Sequence, residues 1–196
     1  MKLKKYTDEM IDISILRLKN KLKELNKFKK KNIKARINTF SIKINLKNLP
    51  DDYLTSFRNL KIHGSDKLNN KIAYVYFFEQ LGDFKRKYLI KKFEKYRPKA
   101  AKDGGRSCSL IPRDAINNPS KYLYIGSMKK GITGRIRQHL GYGGIGKGKG
   151  TFALQLKHWF PEEIVLIHFL EIKNSELSED LEHALAEKLK PCFGKH

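Results

Sequence analysis

The chain is short of cysteine, of acidic residues and of long apolar runs, and each shortage excludes something. Cys108 and Cys192 are its only cysteines, and they lie far apart. They cannot build the dense disulfide framework of a small secreted scaffold, and with no neighbouring His/Cys pair they do not make a zinc site. A reducing, cytoplasmic setting is the expectation. No apolar run approaches the roughly 20 residues that a bilayer-spanning helix needs, so no transmembrane helix is expected. The opening MKLKKYTDEM is basic but lacks the apolar stretch of a secretory signal. No internal repeat is visible.

The acid shortage is the strongest global feature. Asp and Glu total 20 against 42 Lys and Arg, a net charge of +22 over 196 residues. An excess of that size calls for a polyanionic partner. Docking on an anionic membrane would need a long amphipathic helix with bulky aromatics opposite its lysines, and none is present, so no membrane partner is expected. Nucleic acid is the expected partner. The length suits one domain with an extension, or two small domains, and is enough to bury a core.

Ile11, Ile15, Leu18, Leu22 and Leu25 recur at spacings of four and three, which predicts a helix over about 8–30. That seam could cover the chain's own core or pair with a second copy in a homodimer. The basic run from Lys27 to Arg36 reads equally as a linker or as a phosphate-contacting arm. Phe40, Ile42, Ile44 and Leu46 alternate with polar residues, as in a half-buried strand. Pro50-Asp51-Asp52 opens a short helix through Phe57, and the polar stretch 64–70 marks a boundary. A basic, mainly helical N-terminal region for DNA gripping or dimerisation is therefore placed at 1–69.

From residue 70 onward the pattern is that of an α/β domain. Residues 72–78 are a compact apolar strand. Asp83 is placed as the cap of a basic helix that runs to about Tyr96 and stops at Pro98. Residues 98–120 are irregular, so an insert is placed at about 79–120. A strand at 121–125, a helix at 133–140, a glycine loop at 141–150, a helix at 151–159, a strand at 163–171 and a helix at 178–189 follow. The expected fold is a small three-stranded sheet flanked by helices.

The segment YLYIGSMKKGITGRIRQHL (122–140) carries the chemistry. A strand ends in Tyr124-Ile125-Gly126, and the helix after the turn presents Arg135 and, one turn later on the same face, His139. A second strand offers Tyr76, and the C-terminal helix offers Glu182. Each has a plainer reading: ordinary strand tyrosines, a surface arginine, a structural histidine, a solvated acidic face. His158, His168 and His183 are assigned to structure, and Trp159 and Phe160 to the core. GIGKGKGT lacks the spacing of a P-loop. Lys147 and Lys149 read instead as a finger against a nucleic-acid backbone, with Lys157 and Arg137 as further contacts.

About two thirds of the chain resembles the GIY-YIG nuclease superfamily. Tyr124-Ile125-Gly126 matches the second motif. Arg135 stands where the family keeps its catalytic arginine, His139 where many members have a histidine, and Lys129 where several have a lysine. DLEHALAEKLKP is similar to the family's last helix, with Glu182 as the metal-binding glutamate and Pro191 beyond it. The first motif is degenerate: YVYFF aligns Tyr76 with the catalytic tyrosine, and Tyr74 is the alternative register. Tyr76 and Tyr124 are separated by a long insert, and Cys192 to His196 stand where many members have an asparagine.

The resemblance implies a Mg²⁺-dependent endonuclease, with Mn²⁺ as a substitute, acting on double-stranded DNA in restriction or defence. Its ends would be a 5′-phosphate and a 3′-hydroxyl. Rival classes are a non-catalytic nucleic-acid-binding module and a structure-specific or RNA nuclease. The residue types fit such chemistry. One glutamate can hold a hard ion that keeps most of its waters. An arginine offers a planar fork to phosphate oxygens. A tyrosine is a poor base unless cations lower its pKa. Tyr76 is accordingly assigned as the proton acceptor, Tyr124 as the residue that positions water, and Lys129 and His139 as assisting groups.

Overall fold

The computed structural model describes residues 38–50, 65–102, 108–112, 120–142 and 153–194, together with Leu16, Lys19, Asn20, Leu22, Lys23 and Asn26. The chain divides into two units, Met1–Asn38 and Thr39–His196. In the first unit the described positions from Leu16 to Asn26 are helical, and Leu16 and Leu22 are each 60% exposed. Ile11, Ile15, Leu18 and Leu25 of the expected seam lie outside the described residues, as does the helix expected at 51–57.

The second unit is built on one antiparallel sheet. Its strands are β1 (Thr39–Asn45), β2 (Ala73–Gln80), β3 (Tyr122–Met128) and β4 (Ile164–Ile172). Their order is β1-β4-β2-β3. The sheet thus has four strands where three were expected. β1 pairs with β4 from Thr39↔Leu170 to Asn45↔Ile164. The Phe40–Leu46 alternation had marked β1 as a strand, but strand pairing across more than a hundred residues leaves no local trace. The structural division therefore falls before β1, between Asn38 and Thr39, rather than near residue 69.

Helices cover both faces of the sheet. On one face Tyr74, Tyr76 and Phe78 of β2 join Val165, Ile167 and Phe169 of β4 and Ile42 and Ile44 of β1 in the main core. That core is closed by α1 (Arg86–Lys102), α2 (Ile132–Leu140) and α3 (Leu156–Trp159). On the other face Ala73, Val75, Ile125 and Ile172 meet Leu181, Leu185, Ala186 and Leu189 of α4 (Ser178–Leu189). β2 is consequently buried on both sides, which is why it reads as an unbroken apolar run.

Three elements differ from expectation. α1 starts at Arg86, not Asp83, and continues to Lys102 with Pro98 inside it. Proline removes a helical hydrogen bond. Ala100, buried at 1% exposure, anchors the turn beyond it, so packing outweighs the local break. The helix expected at 151–159 is shortened to Leu156–Trp159. Ala153 instead bridges to Cys108, and Gln155 turns the chain at φ 58°. The third difference is a register shift between β2 and β3 at Phe78/Glu79, which leaves Leu123 without a partner across the ladder. Strict alternation would put Leu123 and Tyr124 on opposite faces; the bulge lets both turn to the main core. Among the described residues, no helix is long and apolar enough to cross a membrane. Trp159 and Phe160 lie in the core, as expected.

Phe93 packs α1 into the core: its ring lies 5.1 Å from that of Trp159 and 4.5 Å from that of Phe193. Phe93→Ala is expected to destabilise the fold by about 3–5 kcal/mol, measured by chemical denaturation, because the cavity cannot close between rigid aromatic neighbours. A loss below about 1 kcal/mol would mean that α1 is not an integral part of the core.

Candidate active site

β3 leads into α2 through a tight turn. Gly131, at φ 78°, sits at the N-cap of α2 and supplies no side-chain cap. The cap comes from a distant residue: Asn70 accepts the Thr133 N–H on its side-chain oxygen at 3.0 Å and the Gly131 N–H on its carbonyl at 2.9 Å. This satisfies donors that the helix start leaves open. It also fixes where α2 begins, and hence where Arg135 points.

Four of the predicted residues meet. The Tyr76 hydroxyl oxygen accepts from Arg135 Nε at 3.2 Å and lies 3.1 Å from His139 Nε2. The Leu154 N–H donates to His139 Nδ1 at 3.2 Å. Nδ1 is therefore the unprotonated nitrogen, so Nε2 carries the hydrogen and donates to Tyr76. Arg135 also reaches the Tyr124 hydroxyl through Nη2 at 3.4 Å and the Gln138 side chain through Nη1 at 3.1 Å. Tyr74, the alternative register, bonds instead to Asn69 and Glu171 and packs on Phe40 and Phe169. Tyr76 is thus the tyrosine that faces Arg135.

Gly126 makes this convergence sterically possible. It lies opposite Tyr76 in the β2–β3 ladder. A Cβ there would sit 2.8 Å from the Tyr76 hydroxyl oxygen, 3.0 Å from its Cζ and 2.7 Å from Tyr124 Cε1. Both rings occupy the space a side chain would need.

Burial sets the protonation states. Tyr76 and His139 are both at 0% exposure. Desolvation raises the Tyr76 phenol well above its ordinary value, with the charge of Tyr124 adding to this and Arg135 opposing it. Burial, then the charge of Arg135, holds His139 well below the usual imidazole range, so it is neutral. Tyr124 is only half-buried; its pKa is still raised, chiefly by burial, with Arg135 and its hydrogen bond with Tyr76 opposing the rise. With two donors on its oxygen, the Tyr76 hydroxyl directs its own hydrogen to Tyr124. The expected proton acceptor is therefore the more enclosed of the two phenols.

Glu182 approaches from the opposite face of the sheet, at the edge formed by β3. Ser127 donates its hydroxyl to Glu182 Oε2 at 2.6 Å, and Lys129 pairs with Glu179 at 3.3 Å. Ser127 lies in β3 and Lys129 just beyond its end, while 179 and 182 share a helix face, so these two contacts tie the end of β3 to α4. The Glu182 charge contributes to raising both phenols. Lys129 is turned to Glu179 rather than to the tyrosine cluster. Among the described residues no group of three His, Cys, Asp or Glu side chains gathers to hold a metal. The donors at this edge are one carboxylate and nearby hydroxyls, a set that fits Mg²⁺ bound largely through water.

The remaining predicted residues stand apart. Lys157 donates to the carbonyls of Leu49 and Pro50 and lies over the Tyr142 ring, so it braces the chain itself. Arg137 is half-buried in the last turn of α2. Lys147 and Lys149 lie outside the described residues. Sequence reasoning missed Ser127, Gln138 and Asn70. Only Ser127 had a signal: it follows Gly126 directly, on the strand face away from Tyr124. No family model, curated protein or solved structure matches the chain.

The neutral, buried His139 makes a pH prediction. Its folded pKa is depressed, so the unfolded chain binds the extra proton first, and stability is lost as pH falls below the unfolded value of about 6.5. In a heteronuclear NMR titration from about pH 8 to about pH 5.5, the His139 ring signals should not shift, and Nε2 should remain the protonated nitrogen. Titration of His139 near the reference value would show that its ring is open to solvent.

Proposed function

We propose that this chain is a metal-dependent endonuclease of the GIY-YIG type, hydrolysing phosphodiester bonds in double-stranded DNA to 5′-phosphate and 3′-hydroxyl ends. A role in restriction or defence suits it. The observation that carries the reading is the convergence of Arg135, His139, Tyr76 and Tyr124 on one hydrogen-bonded cluster beside Glu182. A net charge of +22 supports a phosphate-bearing substrate.

The roles follow from the geometry. Arg135 is already oriented by two phenols and Gln138, so its guanidinium needs no reorganisation to meet negative charge developing on a phosphate. Tyr76 and His139 hold that orientation from behind as positioning residues. Tyr124 is the outer, half-buried phenol. Its oxygen receives hydrogen bonds from Tyr76 and from Arg135, both of which stabilise a phenolate. Tyr124 therefore takes over the proton-accepting role first assigned to Tyr76. Glu182, steadied by Ser127, would hold Mg²⁺, which when bound would place positive charge on a non-bridging phosphate oxygen and bring water to the site.

Plasmid DNA incubated with the protein and Mg²⁺, with an EDTA control and sequencing of the cut ends, tests the reading. Cleavage that needs the metal is expected; binding without cleavage would leave a non-catalytic nucleic-acid-binding module. Arg135→Ala should lower kcat on the order of 100-fold with a small change in affinity, and Arg135→Lys should rescue poorly. Glu182→Ala should abolish cutting while DNA binding persists. Tyr124→Phe should remove the alkaline rise of the pH–rate profile. If Tyr76→Phe removes it and Tyr124→Phe does not, the proton acceptor is the buried phenol after all.

A further inference from the structure

α1 carries eight basic residues and one acid, Glu94, in 17 positions. Its inner side is ordinary core: Leu89, Ile90, Phe93 and Ala100 are buried. Its outer side presents Lys87, Lys91 and Lys95, all exposed and spaced four apart. Residues at that spacing are neighbours on a helix, separated by about 6 Å along the axis. Like charges so placed repel and weaken the helix. Among the described residues none of the three is in an ion pair. Lys92 differs, because its ammonium lies 5.5 Å from the Tyr88 ring centre and 5.6 Å from that of Phe160, as part of the packing.

A ridge that repels itself is stabilised by an external polyanion. The exposed side of α1 offers little to a lipid interior, since Tyr88 is its one large exposed ring. The ridge is also tied to the candidate active site. Tyr96 of α1 stacks on His158 at 5.9 Å and 8°, and His158 Nε2 lies 3.0 Å from the Gly141 carbonyl, the C-cap of the helix that carries Arg135. Gly141 has φ 114°, and a Cβ there would sit 3.1 Å from the His158 ring.

We propose that the Lys87–Lys91–Lys95 ridge of α1 is a nucleic-acid-backbone grip, which holds the strand while a phosphate reaches Arg135. This rests on the nuclease reading for the identity of the held strand, but its test reads binding alone. Anisotropy of a fluorescein-labelled DNA duplex, titrated with the full chain in EDTA across a range of salt, is the measurement. Lys87→Glu/Lys91→Glu/Lys95→Glu should weaken binding at least about tenfold and flatten the slope of log K against log salt by about 2–3, one lost counterion release per lysine. Lys67→Glu/Lys173→Glu/Lys188→Glu makes the same charge change at exposed positions elsewhere and should leave most of the affinity and slope. Lys91→Glu alone should already weaken binding and flatten the salt slope by about 1.

Equal losses from the two triple variants would overturn the proposal in favour of diffuse attraction by net charge. So would retained duplex binding by the ridge variant. An unmodified chain that binds through the ridge but never cuts would reject the nuclease reading and leave the grip standing.

Discussion

The site depends on one buried oxygen. The Tyr76 hydroxyl has no contact with solvent, yet it accepts from Arg135 and from His139. A buried phenol left unpaired would cost on the order of 1–3 kcal/mol, so the two donors are constrained to meet it. His139 can do so only as the tautomer that the Leu154 N–H selects. Arg135 can do so only if α2 starts where it does. Gly126 must lack a side chain for the ring to lie where the donors converge. Strand pairing, helix position and tautomer thus all have to agree at one atom.

The sheet separates two kinds of chemistry. Its main-core face supplies the phenols, the guanidinium and the imidazole, groups that can be buried neutral or mutually compensated. Its other face, through Ser127 and α4, supplies the carboxylate at the β3 edge. Glu79 is enclosed at 7% exposure but held between Lys121 and His168, with Ser41 on the far ring nitrogen. Lys121 and His168 keep its carboxyl below the usual range against the cost of burial.

What was legible in the sequence was local. The unbroken apolar run of β2, the Tyr-Ile-Gly segment of β3 and the helix bearing Arg135 and His139 one turn apart are each written within about twenty residues. They were enough to bring four side chains to one cluster. The last helix was read at 178–189, where it stands. Long-range pairing was not legible. β1 was read as a strand but not as a fourth member of the sheet, because its partner lies beyond residue 160. Lys157 looked like a phosphate contact until folding placed the carbonyls of Leu49 and Pro50 beside it. Burial was hidden too. A tyrosine two places from another on an apolar strand gives no sign of which face is closed, so Tyr76 was cast as a base, although its enclosure opposes ionisation.

The Asn70 contact to the first turn of α2 has a consequence for how the chain may be divided. A fragment cut at the start of β2 would retain every residue of the hydrogen-bonded cluster, yet it would lose the group that seats the helix bearing Arg135. A cut just before Asn70 would keep that cap but strip β1 from β4, leaving an apolar strand as an open edge, a template for aggregation. The smallest autonomous module therefore begins no later than Thr39. The insert between β2 and β3 belongs to it as well, because Phe93 of α1 lies in the same core as Tyr76. In this protein the unit of inheritance for the cluster is larger than the motifs that announce it.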